Sequence, residues 1–178
     1  MKSPLGDAIN HISPTDDVLV ECLRCRGVYY LNGNDAGAEN LGDVTLITGL
    51  ITSKDARLRH ALVAWMLVKP DAHKNVPVAY DLLGKEYGTW LRVLYSVAIQ
   101  LQQIHSAVLS DFVQPWYRLP NYFPQESCAP RDPVIALQEV SDECARLYGS
   151  HINWTGTFNH IAASVIRRLT LQREWTRT

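Results

Sequence analysis

No stretch of the chain is apolar enough, for long enough, to cross a bilayer. The longest apolar run, Ala61–Val68, is bounded by His60 and Lys69. A membrane helix needs about 20 such residues. The opening residues, Met1–Pro14, lack the apolar core of a secretory leader. Nor does one charge dominate. The 17 Lys and Arg nearly balance the 18 Asp and Glu, for a net charge of −1 over 178 residues. No overall field therefore draws the chain to nucleic acid, and any such contact needs a local patch. These absences predict a cytoplasmic protein, with no membrane partner, whose cysteines are reduced.

Catalytic signatures are missing too. There is no HExxH, no GxSxG, and no glycine-rich loop followed by GK[ST]. Cysteine is scarce, with four residues, and only Cys22 and Cys25 form a CxxC pair. A closed zinc site needs four ligands. No second pair occurs, His11 is the nearest histidine, and Cys128 and Cys144 are remote in sequence. The pair also ends a helix, whereas a redox pair opens one after a strand. The expectation is no metal and no cofactor.

What the chain does have is helical patterning. Ser13-Pro14-Thr15-Asp16 reads as a helix start with Ser13 as cap, running to about Arg26 and stopped by Gly27. A short apolar helix is expected over Asp43–Ile51. Ser53 is expected to cap a helix over Lys54–Lys69, apolar nearly all round, which Pro70 stops. A short helix follows over Val76–Leu83, ended by Gly84. From Glu86 to Leu109, the residues Trp90, Leu94, Val97, Leu101, Ile104 and Val108 form a seam of alternating three- and four-residue steps. Asp132-Pro133 opens a helix ending at Gly149, and a last one runs from near Asn153 toward Arg173. Val28–Leu31 is read as either strand or loop. Two segments are rich in turn residues, Gly27–Gly42 and a proline-rich loop over 111–132. These readings predict an all-α, single-domain, irregular bundle of about six or seven helices spanning residues 1–178.

Few residues invite a chemical role. Arg57 and His60 lie one turn apart, the spacing of an Arg/His pair in some helical ribonucleases, with His105 as a further candidate. The plainer reading is a polar edge on a buried helix. Arg167 and Arg168 belong to a basic C-terminal helix, where positive charge is favourable without any ligand. Trp116 and Tyr117, in the proline-rich loop, either plug the loop onto the core or contact a partner.

The stretches Leu50–Asp71 (LITSKDARLRHALVAWMLVKPD) and Ile152–Leu169 (INWTGTFNHIAASVIRRL) resemble small helical bacterial proteins of unassigned role. Those proteins are encoded beside minimal nucleotidyltransferases in an antitoxin-like pairing. The resemblance covers under a quarter of the chain and implies a binding partner rather than an enzyme. The chain itself lacks the Gly-Ser and paired-Asp motif of the nucleotidyltransferase fold. No family site maps onto it residue by residue.

The leading expectation is a protein-interaction module that binds another bacterial protein or a second copy of itself. Its contacts are expected at Trp116, Tyr117, Arg167 and Arg168. Two readings stand beside it. One is a nucleic-acid-binding regulator with a helix-turn-helix-like unit near 43–83. The other is a small helical nuclease using Arg57, His60 and His105.

Overall fold

The computed structural model describes residues 14–29, 41–123 and 132–175. Seven α-helices lie in these segments: α1 (Asp16–Cys25), α2 (Asp43–Thr52), α3 (Ala56–Val68), α4 (Val76–Ile104), α5 (Ser106–Phe112), α6 (Pro133–Tyr148) and α7 (Trp154–Trp175). A 3-10 helix, Pro70–Asn75, joins α3 to α4. No strand occurs among the described residues, and Val28 and Tyr29 are irregular. Tyr30 and Leu31 fall outside them. No described helix is long and apolar enough to cross a membrane.

The apolar character of α3 dictates the packing. Every residue from Ala61 to Leu67 is wholly inaccessible to water. A helix with no solvent face must be wrapped, and α1, α2, α4 and α7 all pack against it. Helix α4 is the second axis, packing on α2, α3 and α6. Leu94, Val97 and Leu101 of its expected seam are fully buried, but so are Leu91, Val93, Tyr95 and Ala98. The helix is thus enclosed on more than one side.

Boundaries differ from expectation where several cap residues compete. Helix α1 starts at Asp16 after Thr15, and Pro14 lies ahead of it, packed over Gly49 of α2. Ser13 lies outside the described residues. Ser53 does not cap α3. Asp55 does, accepting from the Arg57 backbone N–H at 2.8 Å, while the Ser53 hydroxyl donates to Asp16. The break at Gly84 is present (φ 66°, ψ −172°), although the helical run continues past it. The run expected to Leu109 instead stops at Ile104, where His105 caps it, and restarts as α5. Val108 consequently leaves the seam and is exposed. Asp132 caps α6 as expected, accepting from the Val134 N–H at 2.8 Å.

The proline-rich segment is bonded to the core through residue 123. Its anchor is Gln102, a buried amide on α4. The side chain donates to the Tyr117 carbonyl at 2.9 Å and accepts from the Leu119 N–H at 2.8 Å. The Tyr95 hydroxyl adds a bond to the Pro120 carbonyl.

Two helices end in left-handed glycines, Gly27 (φ 89°) and Gly149 (φ 58°). At each, the next residue's N–H reaches back five residues and the glycine's own N–H three, the bond pair of a Schellman stop. The sites differ in space. A Cβ on Gly27 would sit 3.1 Å from Val68, whereas one on Gly149 would meet nothing within 4 Å. Gly149→Ala is expected to cost about 1 kcal/mol for the left-handed backbone alone. Gly27→Ala should cost more, because Val68 must also give way. Urea denaturation of the two variants checks the order, and an equal loss would refute the packing term.

Candidate functional site

The Gly27 turn builds one wall of a surface groove. By reversing the chain at the end of α1, it lays Val28 into the core and Tyr29 on the surface, beside Val68 and the outer face of α7. These elements enclose an open groove of about 200 Å³. Val28, Val68, Val165 and Leu169 supply apolar lining, with Arg167 and Arg168 at its edge. The Arg168 guanidinium lies 3.9 Å from the centre of the Tyr29 ring. Such a cation–π contact holds the arginine extended without neutralising it. Arg167 is exposed, and neither arginine pairs with a carboxylate among the described residues. No acidic side chain lines the groove.

A second cluster surrounds His60, and it is closed. The imidazole meets Tyr148, Trp154 and Phe158 edge-on, with ring centres 5.7, 5.1 and 5.6 Å away. Its Nε2 lies 3.1 Å from the Tyr148 hydroxyl, which accepts from Arg59 Nε at 3.2 Å. A hydroxyl that accepts from the guanidinium has its proton free to give to Nε2. Such a donation pairs with a neutral imidazole that carries its proton on Nδ1. Burial pushes the His60 pKa down to about 4, and the neighbouring Arg59 charge adds to the shift. Arg59 itself is held over the Trp90 and Tyr148 rings, 4.9 and 5.2 Å from their centres, and donates to the Ser53 carbonyl. Beside this cluster Arg92 pairs with Glu143, a residue that helical spacing alone assigns to the water-facing side of α6. The stretches Leu50–Asp71 and Ile152–Leu169 meet here, His60 from one against Trp154 and Phe158 from the other.

The structure does not gather the nuclease candidates. Arg57 points into solvent, its side chain 80% exposed, and is paired with Asp55. His60, one turn further along α3, is buried under Tyr148, Trp154 and Phe158, so the two residues do not present a common exposed surface. His105 sits at the junction of α4 and α5, and no bond or ring contact joins it to either residue. The helix-turn-helix reading meets a similar obstacle. Helix α3 is enclosed, and the exposed residues of 76–83 are Val78, Tyr80, Asp81 and Leu82, with no cation for phosphate. Trp116 packs against the core, while Tyr117 is exposed beneath Lys74, whose ammonium lies 5.4 Å from the ring centre.

Cys22 is buried and Cys25 exposed at the end of α1. Among the described residues, no three His, Cys, Asp or Glu side chains are grouped as metal ligands. Cys128 lies outside those residues. The Cys144 thiol is pushed up to about 12 by burial, far from the thiolate form that reacts. Sequence spacing does not reveal the groove as a unit. Arg167 and Arg168 stand out in the sequence for charge alone, and the other signal is Gly27 as a helix stop.

The chain matches no known family model, no curated protein sequence and no solved structure.

The His60 environment makes stability depend on pH. Its folded-state pKa of about 4 lies below the usual 6.5, so the folded state resists protonation. The stabilisation is full above pH 6.5 and is lost as pH falls toward 4. At roughly 1.4 kcal/mol per pH unit the loss approaches about 3 kcal/mol. In urea titrations from pH 7 to 4, His60→Gln should show a flatter decline than the parent protein. Parallel declines would mean that His60 charges freely in the fold.

Proposed function

We propose that the chain acts by binding another protein, with the groove between the α1 exit and α7 as its contact surface. The observation that carries this reading is the size of the groove. Pockets for small molecules and cofactors span about 300–1,000 Å³. An engineered cavity of about 150 Å³ takes up benzene. At about 200 Å³, the groove suits one bulky apolar side chain rather than a whole substrate. Protein interfaces concentrate binding energy in such single-side-chain pockets, with arginine among the favoured neighbours.

The exposed apolar residues nearby fit the same reading. Tyr29 and Leu171 border the groove, and Trp175 ends α7 at 74% exposure. The inward orientation of His60 and the outward orientation of Arg57 support binding over the nuclease alternative. One form of such a role is an antitoxin-like or regulatory partner of another bacterial protein, as the resemblance of Leu50–Asp71 and Ile152–Leu169 implies.

A photo-crosslinking residue at Leu171 should capture a discrete partner in the native host, and one at Ile135 on α6 should not. Once the partner is identified and purified, the pair Arg167→Glu and Arg168→Glu should weaken its binding at least about 10-fold, with unchanged thermal stability. Equal capture from both positions, or unaltered affinity in the double variant, would remove the groove from the contact surface.

A further inference from the structure

Charge specifies the occupant further. We infer that the groove receives a partner segment in which a bulky apolar side chain is flanked by carboxylates. This rests on the reading of the groove as a protein contact site and adds the chemistry of what enters it.

The lining and the rim of the groove call for different groups on one ligand. Val28, Val68, Val165, Leu169 and Leu171 make most of the uncharged lining apolar, with Ser164 and Gln172 as its polar members, which favours an apolar inserted group. The adjacent groups are two guanidiniums on successive residues, and no acidic side chain lines the groove to balance them. Arg168 is pinned across Tyr29, which limits the ordering cost when a ligand engages it. A guanidinium offers paired N–H donors that match a carboxylate. Arg167, exposed and without a carboxylate partner among the described residues, supplies a second such fork. Helix α7 as a whole holds Arg167, Arg168 and Arg173 against Glu174. This local excess sits on a chain whose net charge is −1. Phosphates on a nucleic acid also pair with arginine, but the bases beside them carry ring donors and acceptors that the valines and leucines of the lining leave unmet. An acidic, apolar peptide satisfies both parts of the groove.

The test is a nuclear magnetic resonance titration of the full chain with short peptides. The first has a central phenylalanine flanked by glutamate and aspartate. It should shift the amides of Tyr29, Val68, Val165 and Arg168. Replacing the phenylalanine by alanine should weaken binding about 10-fold. The pair Arg167→Gln and Arg168→Gln, verified as folded by its unchanged remaining amide spectrum, should weaken it by a similar factor. If a lysine-flanked phenylalanine peptide moves the same amides equally well, the contact site stands and the carboxylate chemistry falls. The carboxylate chemistry also falls if a short single-stranded RNA binds these residues more tightly than the acidic peptide. If the amides shift with protein concentration alone, a second copy is the occupant and the inference is overturned. If no peptide moves them, both the inference and the contact site are lost.

Discussion

Helix α3 faces almost no water, and the rest of the molecule is arranged around that fact. Burying an apolar helix on every side is favourable in proportion to the area removed from water. It also makes an unpaired polar group costly, and on this helix the buried Trp65 indole N–H is one, without a hydrogen-bond partner among the described residues. His60 is the test of that rule, because it is the one histidine among the α3 residues that the core encloses. It is tolerated because it stays neutral, faces aromatic edges, and shares a hydrogen bond with a tyrosine hydroxyl. Arg59, next along the helix, is kept at the border by two aromatic rings and a backbone carbonyl. The Arg92–Glu143 pair secures α4 to α6 beside them. A cluster whose residue types suggest chemistry is therefore structural glue, and the arginine-edged groove is a separate feature.

That feature lies where α3 ends. Val68 is the last residue of the enclosed helix and the first that the groove can reach. The same side chain limits what can stand at Gly27. The turn, the end of the buried helix and the basic face of α7 are thus mechanically coupled. A surface built on a rigid helix end and a tight turn is preorganised, and little ordering is left for a ligand to impose.

Much of this is legible in the sequence. Apolar spacing locates the helices, and Gly27, Gly84 and Gly149 each mark a backbone reversal or break. The all-round apolar character of Ala61–Val68 foretells burial. Less legible are features that depend on distant partners. Gln102 reads as one more surface glutamine, yet it is buried because the proline-rich segment has a carbonyl and an N–H that need partners. Arg57 and His60 share a helical turn in sequence, but Arg57 stands at the exposed start of α3 while rings from α6 and α7 cover His60. Whether Arg167 and Arg168 flank a groove depends on Tyr29, near the other end of the chain. Local periodicity carries no information of that range.

The interruption of α4 at Gly84 bears on how the molecule loosens. Helical order spreads cooperatively only while successive residues share the same dihedrals. A glycine at φ 66° and ψ −172° ends that sharing. Residues 76–83 carry the exposed Val78 and Leu82 together with the wholly buried Val76 and Ala79, while the stretch after the break holds most of the helix's buried positions. Helical cooperativity is therefore cut at Gly84, and the leading stretch is held by its own anchors, Val76 and Ala79, and not by continuity with the rod alone. Loosening of that end has to draw both side chains out of the core that α3 defines.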